Sequence, residues 1–195
     1  MIAFNQALIV LARDKEITIA NTRLKDTVGD FKTREILHQL LSHTQETASY
    51  INIDKYVVLE DMTDHGLWEE YIIFPRLGHD AGESMSLAFN LVFATGYQEV
   101  VMIGMDCPYL SPELLEEAFA ALKHNQVVIG PAQHGGFYLL GMQCFYPELF
   151  DFVDAASSDW LRRLLTAIHQ MQLRFAFLPT LNVVQELADV PEDWL

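Results

Sequence analysis

Glu99-Val100-Val101-Met102-Ile103-Gly104-Met105-Asp106-Cys107-Pro108-Tyr109-Leu110 is the stretch whose reading decides the fold. Val100 to Ile103 is a continuous apolar run rich in β-branched residues, the pattern of a strand buried on both faces. Gly104 interrupts the run, and Pro108, which has no N–H to give a sheet ladder, ends it. Asp106 therefore stands where the strand stops. In an open α/β sheet the carboxyl ends of the strands line the ligand crevice, so this carboxylate belongs at the mouth of a candidate site.

Working outward, residues 7–12 read as a first strand, with Arg13 at its carboxyl end. A loop over 14–25 follows, and 30–45 shows helical spacing through Phe31, Ile36, Leu37, Leu40 and Leu41. Residues 56–59 and 71–74 read as two more strands; Glu60 and Asp61 follow one, and Pro75 closes the other. Gly82-Glu83-Ser84 opens a helix that Gly96 ends. Ser111 and Pro112 form a strong helix start, with an N-cap hydroxyl and a first-turn proline, for a helix to about Lys123. Residues 127–129 and 137–140 read as strands around a tight Gly135-Gly136 turn that requires positive φ in at least one glycine. Ser158 or Asp159 caps a helix over 160–171, and 174–178 is a last strand. Strands alternating with helices predict a mostly parallel sheet covered on both faces.

The 195 residues fit a single domain spanning 1–195, and 51% hydrophobic with 20% charged residues describes a globular chain. A net charge of −15 repels nucleic acid phosphates and anionic membranes, which excludes both as expected partners. No apolar run approaches the ~20 residues that span a bilayer. The start, Met1-Ile2-Ala3-Phe4-Asn5-Gln6, lacks the basic opening of a secretory signal, so a cytoplasmic location is expected. Cys107 and Cys144 both sit in apolar surroundings and read as reduced core thiols. Gly-x-x-x-x-Gly-Lys-Ser/Thr, Gly-x-Gly-x-x-Gly and Gly-x-Ser-x-Gly are all absent, which leaves P-loop, dinucleotide-binding and α/β-hydrolase functions without sequence support.

Gly104-Met105-Asp106-Cys107-Pro108, Gly130-Pro131-Ala132 and the run from Gly135 to Gly141 resemble an uncharacterised bacterial family of glycosyltransferase-like, or nucleotide-diphospho-sugar transferase-like, proteins. Some of its members are called radical-SAM/selenodomain-associated transferases. The likeness runs from Leu8 to about Leu187. It implies a three-layer α/β, GT-A-like fold and an enzyme moving a sugar or nucleotidyl group from a nucleotide-activated donor. It further implies a nucleotide-sugar or related small molecule as partner, and Mg²⁺ or Mn²⁺ held by Asp106 against the diphosphate. Arg13, Thr22 and Arg23 match the family's opening loop, where guanidinium groups would face a diphosphate. Glu83 matches a Gly-Glu-Arg-Met motif; His134, with Gly135 and Gly136, stands where the family has aspartate and two glycines.

Each assignment has a purely structural alternative. Asp106 can shape the Cys107-Pro108 turn, the arginines can pair with Asp14 or Asp26, Glu83 can favour a helix dipole, and His134 can be a solvent-exposed loop residue. Asn21, Ser84, His134, Asn182 and Val184 all stand where the family pattern carries charge. The loss of those charges defines the competing expectation, a catalytically impaired homologue acting as a binding or regulatory module. Glu186 and Asp189 remain near the lost C-terminal aspartates and read as helix-capping or solvated residues. His65, His79 and Asp80 read as surface residues.

Overall fold

The computed structural model describes residues 5–12, 23–59, 66–151 and 159–195. Among the described residues, seven strands form one sheet: β1 (Gln6–Ala12), β2 (Asp54–Leu59), β3 (Ile72–Pro75), β4 (Glu99–Gly104), β5 (Val127–Pro131), β6 (Phe137–Met142) and β7 (Phe175–Phe177). Their spatial order is β3-β2-β1-β4-β6-β5-β7. β1 pairs in parallel with both β2 and β4, and β2 with β3. β6 pairs antiparallel with β4 and β5, while β5 is parallel to β7. Of these described strands, six thus point one way and β6 runs back. This is the mostly parallel sheet expected from the sequence.

The helices are α1 (Arg23–Ser49), α2 (Ala81–Ala94), α3 (Pro112–Leu122) and α4 (Trp160–Gln170). Alternate strand residues divide the core between the two faces, as the two-residue side-chain period requires. Leu8, Val10, Val57, Val101, Ile103 and Leu139 pack with Leu41 of α1 and Leu115, Phe119 and Leu122 of α3. Ala7, Ile9, Val58, Val100, Met102 and Leu140 pack with Met85, Phe89 and Val92 of α2 and Leu164 and Ile168 of α4. Three layers result, with α1 and α3 on one side and α2 and α4 on the other. A third apolar cluster joins Leu24, Ile36 and Leu40 of α1 to Val184 and Val190 of the C-terminal segment.

Local sequence explains the element ends. Ser111 caps α3 through Leu114 N–H, with Pro112 in the first turn as expected. α2 stops at Ala94, and Gly96 follows with φ 104°. α1 differs from the sequence expectation: it starts at Arg23, inside the expected loop, and runs on to Ser49. Gly29, at φ 76° and ψ 169°, kinks it, a junction that a helical period search skips over. Cys107 is buried, as expected, but Cys144 is exposed because the chain leaves the core as soon as β6 ends at Met142.

Gly130 sets how close β5 and β6 lie. A Cβ built there would stand 2.4 Å from the Tyr138 ring. Tyr138 itself donates to Pro179 O at 3.0 Å, which anchors the chain leaving β7. Gly130→Ala is expected to displace the ring and cost roughly 1–3 kcal/mol by overpacking. Tyr138→Phe, losing only the hydrogen bond, should cost about 1 kcal/mol. Thermal unfolding of the two variants tests this order, with each kcal/mol moving Tm by roughly 2–4 °C in a chain of this size.

Candidate functional site

Strand direction gathers the candidate groups. β1 register places Leu11 opposite Gly104, so the chain leaving Ala12 and the chain leaving β4 emerge side by side at one edge. Connections from β1 run towards β2 and β3, then return to β4 on the other flank. That reversal makes the β1–β4 gap the topological switch point, where doubly wound sheets open their crevice. Asp106 stands beside it. Its Oδ1 lies 2.8 Å from where a Gly104 Cβ would be, so the carboxylate folds back over Gly104 in space that any side chain would fill. Arg13 and Thr22 lie outside the described residues, as do Glu60, Asp61 and His65. Arg23 is described only as the first residue of α1.

The turn from β5 to β6 rises at the same edge. Gly135 N donates to Ala132 O at 3.2 Å, and Gly135 has φ 96° while Gly136 has no positive φ. The expected glycine turn is therefore present, with the left-handed position carried by Gly135. Gln133 N donates to Leu181 O at 3.0 Å, and Ala132 bridges Leu181 in parallel. The chain after β7 thus reaches this edge too, bringing residues 182–189 over it.

There the sequence reading missed the organising group. Asp189, only 6% exposed, accepts from His134 Nε2 and Asn182 Nδ2 on Oδ1, both at 3.1 Å. Its Oδ2 accepts from the backbone N–H groups of Gln185 at 3.0 Å and Glu186 at 2.9 Å. Burial pushes the Asp189 carboxyl up, but these backbone and side-chain donors outweigh it and hold the group below its ordinary value. The capping role expected of Glu186 and Asp189 is present in the 3₁₀ turn Leu187–Asp189. In addition, Asp189 binds His134 from 55 residues away. No sequence period signals such a pair. His134 is consequently a bonded residue, although 41% of its side chain remains exposed.

The segment also closes on Asp106. Val184 N donates to Asp106 O at 2.7 Å, and Cys107 Sγ donates to Asn182 O at 3.6 Å. Burial pushes the Cys107 thiol up to about 12, which removes it as a thiolate nucleophile near neutral pH. Among the described residues Asn182 Oδ1 is buried and has no hydrogen-bond partner. Val184 is buried against α1. Glu83 serves its own helix: Glu83 N donates to Asp80 Oδ1 at 2.8 Å, and its Oε2 accepts from His79 N at 2.7 Å. Ser84 is buried in the same turn. A cleft lined by Gln45, Glu46, Lys55, Glu70 and Tyr71 opens at the opposite edge and contains none of these groups.

For a divalent ion the donor set is thin. No three His, Cys, Asp or Glu side chains cluster suitably among the described residues. A carboxylate offers about four lone-pair positions, and the four hydrogen bonds to Asp189 take them all. The described residues thus do not form a ready-made metal site.

A family model described as uncharacterized protein conserved in bacteria (DUF2064) matches residues 41–157, which include Asp106, Cys107-Pro108 and the His134 turn. The chain belongs to this family. No curated protein matches this DUF2064 chain. A solved structure from Desulfovibrio desulfuricans G20, described as a candidate nucleotide-diphospho-sugar transferase, is 25% identical with a TM-score of 0.88. That alignment covers 95% of this chain and 84% of the other. The bifunctional IspDF from Campylobacter jejuni is similar at TM-score 0.66 and 14% identity, over 95% of this chain and 54% of that one. The inositol-1-phosphate CTP transferase from T. maritima is similar at TM-score 0.61 and 14% identity, covering 98% and 93%. The last two likenesses concern fold alone, and with the first they establish the α/β, GT-A-like architecture. No helix among the described residues is long and apolar enough to cross a membrane.

Asp189→Asn puts an amide N–H₂ among groups that all donate and is expected to cost roughly 1–3 kcal/mol. Because the folded carboxyl lies below its ordinary value, its contribution is complete above about pH 4 and is lost as pH falls through the folded value. The stability gap between the natural chain and Asp189→Asn should therefore persist down to about pH 4 and shrink as pH falls below it. Denaturant titrations across that range measure it.

Proposed function

We propose that this protein binds a nucleotide-activated sugar at the carboxyl edge of the sheet and transfers the sugar or the nucleotidyl group. Asp106 beside the β1–β4 switch point carries this reading. The D. desulfuricans neighbour, described as a candidate nucleotide-diphospho-sugar transferase, supports it. A single domain over 1–195 and a cytoplasmic location are part of the same proposal. Asp106 would face the polar part of the substrate, and the β5–β6 turn with His134, Gly135 and Gly136 would border the acceptor. Arg13, Thr22 and Arg23 are proposed on the donor side from their match to the family pattern; Glu83 is assigned to its helix cap.

A second reading is favoured by one observation: the carboxylate nearest the lost C-terminal aspartates, Asp189, is fully occupied by hydrogen bonds. The fold would then serve as a binding or regulatory module without turnover. Mg²⁺ or Mn²⁺ needs one or two carboxylates plus phosphate oxygens. Asp106 would then contribute one carboxylate, and any metal would arrive with the substrate.

A thermal-shift panel of nucleotide-diphospho-sugars and nucleotides tests the proposal. A true donor at a hundred times its dissociation constant should add roughly 2.7 kcal/mol of stability. Asp106→Asn should remove most of that shift. Mg²⁺ or Mn²⁺ alone should shift the natural chain little, and calorimetry showing tight Mn²⁺ binding without nucleotide would overturn the single-carboxylate site.

A further inference from the structure

His134 is held in one orientation by a buried carboxylate, an arrangement that a surface histidine does not need. Ionised Asp189 can only accept, so in the neutral ring the proton of the 3.1 Å contact belongs to Nε2. The lone pair is then on Nδ1, which has no hydrogen-bond partner among the described residues. The ring is 41% exposed, while Asp189 beneath it is 7% exposed at its side chain. A protected carboxylate bonded to a partly exposed imidazole fixes the tautomer and leaves one basic atom, Nδ1, without a donor among the described residues.

We infer that His134 is a general base for an alcohol acceptor, with Asp189 as its positioning residue. The inference rests on the transferase reading above and narrows it to transfer onto a hydroxyl. One acceptor atom on the partly exposed ring, His134 Nδ1, lacks a donor among the described residues; Asn182 Oδ1 lacks one too but is buried. Hydroxyl groups supply donors and ionised phosphate oxygens do not. A sugar phosphate attacking a nucleotide is already largely ionised near neutral pH, since its second pKa is about 6, and asks for no base. An alcohol does ask for one. In the step, Nδ1 takes the hydroxyl proton as the acceptor oxygen bonds to the donor's anomeric carbon. The bond from that carbon to the diphosphate oxygen breaks, its electron pair leaves with the nucleoside diphosphate, and the ring later gives the proton to solvent.

Long-range ¹H–¹⁵N spectra of the labelled full-length chain, assigned by comparison with His134→Gln, read the tautomer directly. The expected result is Nε2–H in the natural chain, loss of that preference in Asp189→Asn, and partial recovery in Asp189→Glu. A predominant Nδ1–H tautomer overturns the pairing. Release of nucleoside diphosphate from UDP-glucose and GDP-mannose is then followed with glycerol or methyl glucoside as acceptor. Glucose 1-phosphate with UTP is the phosphate-nucleophile control. Alcohol-dependent release that falls roughly 10²–10⁴-fold in kcat in His134→Gln, at unchanged donor KM, supports the base. Release unaffected by His134→Gln, or turnover only in the phosphate control, overturns it. Absence of any donor-induced thermal shift in the natural chain defeats the transferase reading itself, and with it the base, while the tautomer result still stands on its own.

Discussion

Asp189 accepts four hydrogen bonds on two oxygens: two come from amide groups in its own turn, one from Asn182 and one from His134. Removing any donor leaves a buried charge undercompensated, at a cost well above that of an ordinary surface contact. The geometry of the whole edge depends on this balance. Asn182 and Val184 contact Cys107 and Asp106, and His134 belongs to the β5–β6 turn. One carboxylate thereby connects the ends of β4, β5 and the chain beyond β7. The apolar packing of Val184 and Val190 against α1 holds the same segment from its other side.

The sheet supplies what that carboxylate organises. Parallel pairing sends strand after strand to a common edge, and the reversed β6 sends its preceding turn there as well. Residues far apart in sequence therefore become neighbours without any local motif. The same scaffold carries different chemistries in different proteins, so the edge side chains, and not the fold, distinguish one from another. In this chain those side chains are acceptors for the most part: a carboxylate at Asp106, an imidazole held by Asp189, and an amide oxygen at Asn182.

Much of the architecture was legible in the sequence because it is written locally. Apolar runs marked β1, β2 and β4, Ser111-Pro112 marked the start of α3, and Gly135-Gly136 marked the turn. Where competing local signals met, the reading slipped. Gly29 hid the continuity of α1, and the apolar neighbours of Cys144 concealed that the chain turns outward after Met142. The site was legible only by half. Asp106 followed from strand-end logic, whereas the Asp189–His134 pair is a tertiary fact: Asp189 has the local look of a cap, which it also is, and its long-range partner leaves no periodic trace.

Chain order gives the C-terminal segment a temporal role as well. Asp106 and His134 precede Asp189, so a ribosome delivers both halves of the edge before the group that joins them. The β5–β6 hairpin can pair from nearby residues, but closing the edge requires His134 and Asp189 to meet across a sequence separation of 55. Folding should therefore assemble the sheet before the edge closes. Until then the His134 ring has no carboxylate to choose its tautomer, and the nascent chain carries the fold without the finished edge.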